Sequence, residues 1–136
     1  MLNKYEYEIQ LKNYSLNNLT LKKYSEKFLR NKSPYTINSD DIRFKIYPMQ
    51  INWNEITVLS KFTIANEDFK LSIEYIAKYL TAFEYNNFDD KIYNKIEPAA
   101  FVTMYKYARE LSVNIISDVV SNKVIFPLYD LRKIKR

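Results

Sequence analysis

Three acidic pairs, Asp40-Asp41, Glu67-Asp68 and Asp89-Asp90, are the side chains best placed to do chemistry. Adjacent carboxylates can divide the work of acid and base, or hold a divalent cation. All three pairs lie in turn-like sequence, where acidic residues also serve the backbone, so neither catalysis nor metal binding is expected of them. No other catalytic set can be assembled. The sequence has no His and no Cys, which removes zinc ribbons, thiol nucleophiles and imidazole bases. It has no Gly, which removes the dinucleotide-binding turn and the phosphate-cradling loop, because both need backbone that only Gly allows. The expectation is a protein that is not an enzyme and needs no metal and no cofactor.

What remains is the chemistry of contact. Hydrophobic residues make up 47% of the 136, with 13 Tyr and 8 Phe, so the chain can bury a core of its own. The formal charge is +5, and it is uneven. Residues 22–32 hold Lys22, Lys23, Lys27, Arg30 and Lys32 against Glu26, and the tail 130–136 holds Arg132, Lys133, Lys135 and Arg136 against Asp130. Without these two segments the remainder is net negative, so the basicity is assigned to a loop and a tail. The N-terminus carries charges where an export signal needs an apolar run, and no stretch approaches the ~20 apolar residues of a membrane span. A cytoplasmic location is expected, with no membrane insertion.

Strands account for most of the chain up to residue 83. Residues 5–12 alternate, with Tyr5, Tyr7, Ile9 and Leu11 on one side. Residues 14–21 continue the alternation weakly, with a turn or bulge at Asn17-Asn18. Residues 22–41 have no stable period and form a long crossover loop. Residues 42–47 alternate again, and Pro48 marks an edge strand or its end. Glu55–Ala65 forms the next strand, and residues 69–83 the last. At ~3.3 Å per residue the last strand is long enough to need a bend or a bulge. Pro98 suits a first helical position, which predicts a helix over 98–122, about 37 Å long. The pattern predicts one α+β domain over 1–136: a four-stranded antiparallel sheet, then a long helix on one face.

The apolar arc of that helix spans roughly 200°, against the ~100° stripe of an ordinary surface helix. Phe101, Met104, Tyr105, Ala108, Leu111, Ile115 and Val119 form one stripe; Val102, Val113, Ile116 and Val120 form a second. One stripe serves the sheet. The other packs either on another subunit or on this chain's own loop or tail, and the first alternative is expected. Val102, Tyr105, Arg109, Val113, Ile116 and Val120 are the candidate oligomer contacts.

The run Tyr105-Lys106-Tyr107-Ala108-Arg109-Glu110, with Phe126-Pro127 about a helix-length later, resembles the SecB family of export chaperones. In that family a long helix carries an aromatic–Pro–Tyr–Ala–Arg–Glu run and is followed by a Phe–Pro turn. Here Lys106 replaces the proline, and no glycine precedes Phe126. The resemblance implies a sheet with helices on one side, a tetramer built as a dimer of dimers, and an ATP-independent holdase for unfolded polypeptide. Clients would be preproteins or, as for SecB-like members serving toxin–antitoxin systems, an aggregation-prone antitoxin. Family carboxylates on the sheet dock the export ATPase. Asn18 and Lys22 stand where two of them would be, with Glu74 at a third, which counts against such docking.

Candidate client contacts are Leu19, Leu21, Tyr24, Phe28, Leu29, Tyr35, Met49, Ile51 and Trp53. Aromatic side chains and Met give large, adaptable contact area for clients of no fixed sequence. The alternative is that these residues form the core beneath the loop. A reading of another class, ranked lower, is a single-stranded nucleic-acid binder using the basic loop and tail with their interleaved Tyr and Phe.

Overall fold

The computed structural model describes residues 9–25, 34–82 and 89–127. It contains β1 (Ile9–Lys23), β2 (Tyr35–Thr36), a 3₁₀ turn (Ser39–Asp41), β3 (Ile42–Asn52), β4 (Glu55–Ala65), β5 (Phe69–Thr81), α1 (Asp90–Val120) and β6 (Val124–Ile125). The four long strands form one antiparallel sheet in the order β1-β5-β4-β3. β2 and β6 pair in parallel as a separate ribbon. The protein is therefore an α+β domain with a four-stranded antiparallel sheet and one long helix.

Alternation sets the core. Ile56, Val58, Phe62 and Ile64 of β4 are buried on the same face as Phe69, Leu71, Ile73, Tyr75, Ala77 and Tyr79 of β5. Ile42, Phe44 and Ile46 of β3 complete that face. α1 lies across it and touches all four strands. Phe101 meets Phe44 edge-on at 5.1 Å, and Tyr105 meets Phe62 at 5.7 Å. Thr103 shares a 2.7 Å hydrogen bond with the hydroxyl of Tyr79, so the helix is tied to β5 by a polar contact as well.

Three local differences from the sequence expectations have physical causes. The helix begins at Asp90, eight residues before Pro98. Asp89 caps it, its carboxylate accepting from the Ile92 amide at 2.9 Å. Ile92 and Ile96 then extend the buried stripe toward Ala100. Their burial offsets the backbone bond that Pro98 forgoes inside the helix. The long last strand, β5, carries no bulge. The register shifts fall instead on the edge strands, between Leu11 and Asn13 and between Leu16 and Asn18 of β1, and between Pro48 and Gln50 of β3. β3 is an edge strand, as Pro48 suggests, but it runs on through that proline to Asn52 because the bulge absorbs it.

With no glycine available, two left-handed backbone positions fall to other residues. Trp53 takes φ 60° in the β3–β4 turn, and Ser121 takes φ 51° after the last turn of α1. A side chain there costs roughly 1 kcal/mol. Ser121→Gly is expected to raise unfolding stability by about that amount in urea denaturation. A decrease would show that Ser121 makes a contact worth more than the strain it carries.

Burial pushes the Tyr79 phenol up to about 12. Its folded value then exceeds the ordinary unfolded one, so its contribution is complete below about pH 10 and disappears as pH rises through about 12. Tyr79→Phe is expected to cost about 1 kcal/mol at neutral pH, through the lost bond to Thr103, and to flatten the alkaline loss between those limits. A pH series of denaturation curves checks both effects.

Candidate functional site

The apolar residues of β1 are spaced two, three, two, three and two apart: Ile9, Leu11, Tyr14, Leu16, Leu19, Leu21. A gap of three would turn the next side chain to the opposite face. Each such gap holds a bulge, the first at Lys12 and the second at Asn17. Leu11, Tyr14, Leu16, Leu19 and Leu21 consequently oppose Tyr79, Ala77, Tyr75, Ile73 and Leu71, all on the helix-facing side.

That flank is only partly covered. Leu16 is 50% exposed, Tyr24 is 53% exposed, and Tyr14 and Leu19 are also exposed. Tyr14 stacks on Tyr107 of α1 at 4.3 Å and meets Tyr75 edge-on at 5.8 Å. With Leu111, these rings form a shallow aromatic depression bounded by Glu110 and Asn114. The phenols of Tyr14 and Tyr75 are both held above the usual tyrosine value, first by loss of hydration. The surface is uncharged at neutral pH, apart from its Glu110 rim. Beyond it, near the start of β1, Ile9, Leu11, Tyr79, Pro98, Ala99 and Val102 line an apolar pocket of about 420 Å³.

β1 also has an open edge. Among the described residues it pairs only with β5. Residues 18–23 run in regular register after the second bulge. Backbone donors and acceptors therefore stand beside the exposed leucines.

The predicted client contacts divide between distant places. Leu19, Leu21 and Tyr24 belong to the β1 flank. Tyr35 is half-buried near the same end of the sheet, donating to Asp68 at 2.7 Å and resting on Phe69. Met49, Ile51 and Trp53 sit on the opposite edge at the far hairpin, where Trp53 is 71% exposed. Leu21 lies level with Leu71, and Ile51 lies level with Tyr79. Those levels are about 26 Å apart along β5, and the two edges are separated by the full width of the sheet. Within one chain, the seven described residues do not line one groove. Phe28 and Leu29 lie outside the described residues, as do the tail 130–136 and most of the basic loop. Sequence reasoning missed Tyr14, Leu16 and Tyr107. The 2-3-2-3-2 spacing was the signal that could have found the first two.

The helix contacts also need correction. Tyr105, Ile116 and Val120 are buried in this chain's own core and present nothing to a second subunit. Val113 is half-buried in a pocket that Val124 and Phe126 help to line. Arg109 is exposed, with its guanidinium 5.4 Å from the centre of the Phe126 ring. The chain's own C-terminal segment therefore takes much of the second stripe, and only Val102, at 56%, is fully exposed. Several members of the acidic pairs serve local structure. Asp89 caps α1, Asp68 accepts from Tyr35, and Asp40 and Asp41 belong to the 3₁₀ turn. Among the described residues no group of three or more acidic side chains is arranged to hold a metal ion. No described helix is long and apolar enough to cross a membrane.

Two solved structures share this arrangement. One is a protein of unknown function from Streptococcus agalactiae, with a TM-score of 0.62 at 13% identity, covering 90% of this chain and 98% of that one. The other is a SecB-like chaperone from Mycobacterium tuberculosis in complex with a ChAD peptide from the HigA1 antitoxin. Its TM-score is 0.56 at 10% identity, covering 92% of this chain and 90% of that one. The fold is SecB-like. At such identities the likeness is one of architecture alone. No protein-family model matches the sequence, and no curated protein matches it.

In this SecB-like fold the β1 flank should be separable from the core. Leu16→Ser and Leu19→Ser, at partly exposed positions, are each expected to cost about 1 kcal/mol. Leu71→Ala, on the adjacent strand but fully buried, should cost about 2–5 kcal/mol. Urea denaturation distinguishes the two. A large loss from either surface change would make the flank part of the core.

Proposed function

We propose that this protein is an ATP-independent holdase that binds non-native polypeptide along the helix-facing flank of β1. The observation that carries this reading is the exposed row of Tyr14, Leu16 and Leu19 beside an unpaired strand edge. Contiguous apolar surface of this kind marks a binding site. Leucine and tyrosine give contact area without demanding a sequence, and an open edge can hydrogen-bond any extended backbone. Burying half of one leucine under a client is worth about 1 kcal/mol. Several such contacts suit reversible holding better than tight capture. No step needs a nucleotide, and the sequence has no glycine loop to bind one.

The SecB-like neighbour bound to an antitoxin peptide supports a narrower reading, in which the client is an aggregation-prone antitoxin rather than a preprotein. The SecB-like architecture also motivates self-association in a cytoplasmic setting. The exposed Val102 and Tyr93 of α1 are the contacts available for it.

Light scattering during refolding of an aggregation-prone client tests the holdase reading. A stoichiometric excess of the protein is expected to suppress aggregation, and Leu16→Glu with Leu19→Glu to abolish most of that effect while the protein stays folded, with a cooperative thermal transition at a lowered midpoint. Undiminished aggregation with the unaltered protein would overturn the reading. Full suppression by the double variant would move the site away from β1.

A further inference from the structure

The face of the sheet turned away from α1 has a charge pattern that the strand register makes explicit. One row across it reads Lys45, Lys61, Glu74 and Asn18; the next toward one end reads Arg43, Thr63, Ser72 and Thr20. Lys45 and Lys61 stand directly opposite each other on adjacent strands, an arrangement that costs stability through like-charge repulsion. Lys70 and Lys22 are likewise direct neighbours.

The carboxylates on this face form no ion pair with these cations, although Glu74 stands directly opposite Lys61. Glu55 takes both Lys12, at 2.8 Å, and Lys78, at 3.8 Å. Glu74 accepts from Asn17 at 3.3 Å. Among the described residues, Lys22, Arg43, Lys45, Lys61 and Lys70 make no ion pair. Among the described residues, the remaining acidic groups lie at the ends of the sheet or on α1. Excess basicity is therefore not confined to the loop and tail: the folded body, net negative without them, separates its charges and gathers cations on one face.

Beside the Lys45–Lys61 row, on the side away from Arg43, runs an apolar one, Tyr47, Leu59 and Ile76. Tyr47 is exposed, and the other two are half-buried. None of the core residues points to this side, and no described element covers it.

We infer that the outer face of the sheet is a docking surface for an acidic, partly apolar polypeptide segment of another protein. Charge complementarity selects the occupant. Unpaired lysines at about 5 Å spacing across strands attract carboxylates, and the apolar row beside them offers aliphatic contact. A nucleic acid would answer the cations but not Leu59 and Ile76, because base binding needs stacking rings and this row has one, Tyr47. A second copy of this chain presenting the same face would meet the same sign of charge. The surface lies on the opposite side of the sheet from the proposed client flank, so it goes beyond that reading and does not depend on it.

The test uses the full protein and three labelled probes of equal length, read by fluorescence anisotropy at low and moderate salt. The probes are a peptide alternating Leu and Glu, the same peptide with Gln for Glu, and a single-stranded oligonucleotide. The Leu/Glu peptide is expected to bind at least about tenfold more tightly than the Gln peptide and to weaken with salt. Lys45→Glu with Lys61→Glu should reduce that binding about tenfold or more. Lys45→Gln with Lys61→Gln should weaken it less while raising the thermal midpoint, because the repulsion is removed. Suppression of client aggregation should be unaltered in both variants, so failure here and failure of the holdase reading are distinguishable. Equal affinity for the Glu and Gln peptides, or no effect of either double substitution, would overturn the proposal. So would tighter binding of the oligonucleotide that the same substitutions abolish.

Discussion

One helix cannot cover four strands. An α-helix with its side chains is about 10–12 Å across, and four strands at ~4.8 Å make a sheet about 19 Å wide. α1 crosses the sheet and reaches every strand, yet it buries the central strands far better than the edges. β4 and β5 have fully buried inner faces. The crossover segment adds to the cover: Ile37 is buried in the same core, and β6, paired with β2, touches α1. At the β1 edge no described element plays that part. The exposed row of Tyr14, Leu16 and Leu19 follows from this mismatch of widths. It remains on the helix-facing side only because two bulges hold it there.

Much of the architecture was legible in the sequence because burial on one face writes itself as alternation. β4 has the strictest pattern and its limits were read to the residue. β5 and the edge position of β3 were readable for the same reason. The helix start was not, because Pro98 carries a stronger local signal than Ile92 and Ile96, whose contribution depends on a sheet that local sequence does not reveal. The site was harder still. A residue's type says that it can make apolar contact, but not whether its own chain has already used it. Tyr105 and Ile116 have the composition of an interface and the position of a core. Met49 and Trp53 have the composition of a groove but stand at the far end of the sheet from Tyr24.

The absence of glycine bears on the fold as well as the chemistry. Without it, bulges must be built from ordinary residues, here Lys12, Asn17 and Met49. Each lies on an edge strand, where an unpaired residue has solvent on one side and costs little. Two of the three are polar and share in the outer face, Lys12 through Glu55 and Asn17 through Glu74. The bulges that keep the apolar row on one side of β1 thus also supply polar groups to the other side.

That coupling gives the two faces different kinds of specificity. As a client site the β1 flank would offer area, little charge and an edge that no described residue pairs, so it would discriminate weakly. The outer face offers a fixed grid of cations, set by strand spacing and register rather than by flexible loops, so it can discriminate by charge. A chain held on the first face leaves the second free, because a sheet and its core stand between them. Binding on one side need not compete with binding on the other. The coupling between the faces runs through β1, whose bulged residues Lys12 and Asn17 bond across one surface while its leucines and Tyr14 stand on the other. Any client that pairs with the β1 edge and straightens it would disturb the bonds that occupy Glu55 and Glu74. Release would leave the net charge of the outer face unchanged but free Glu74 to meet Lys61, which stands directly opposite it.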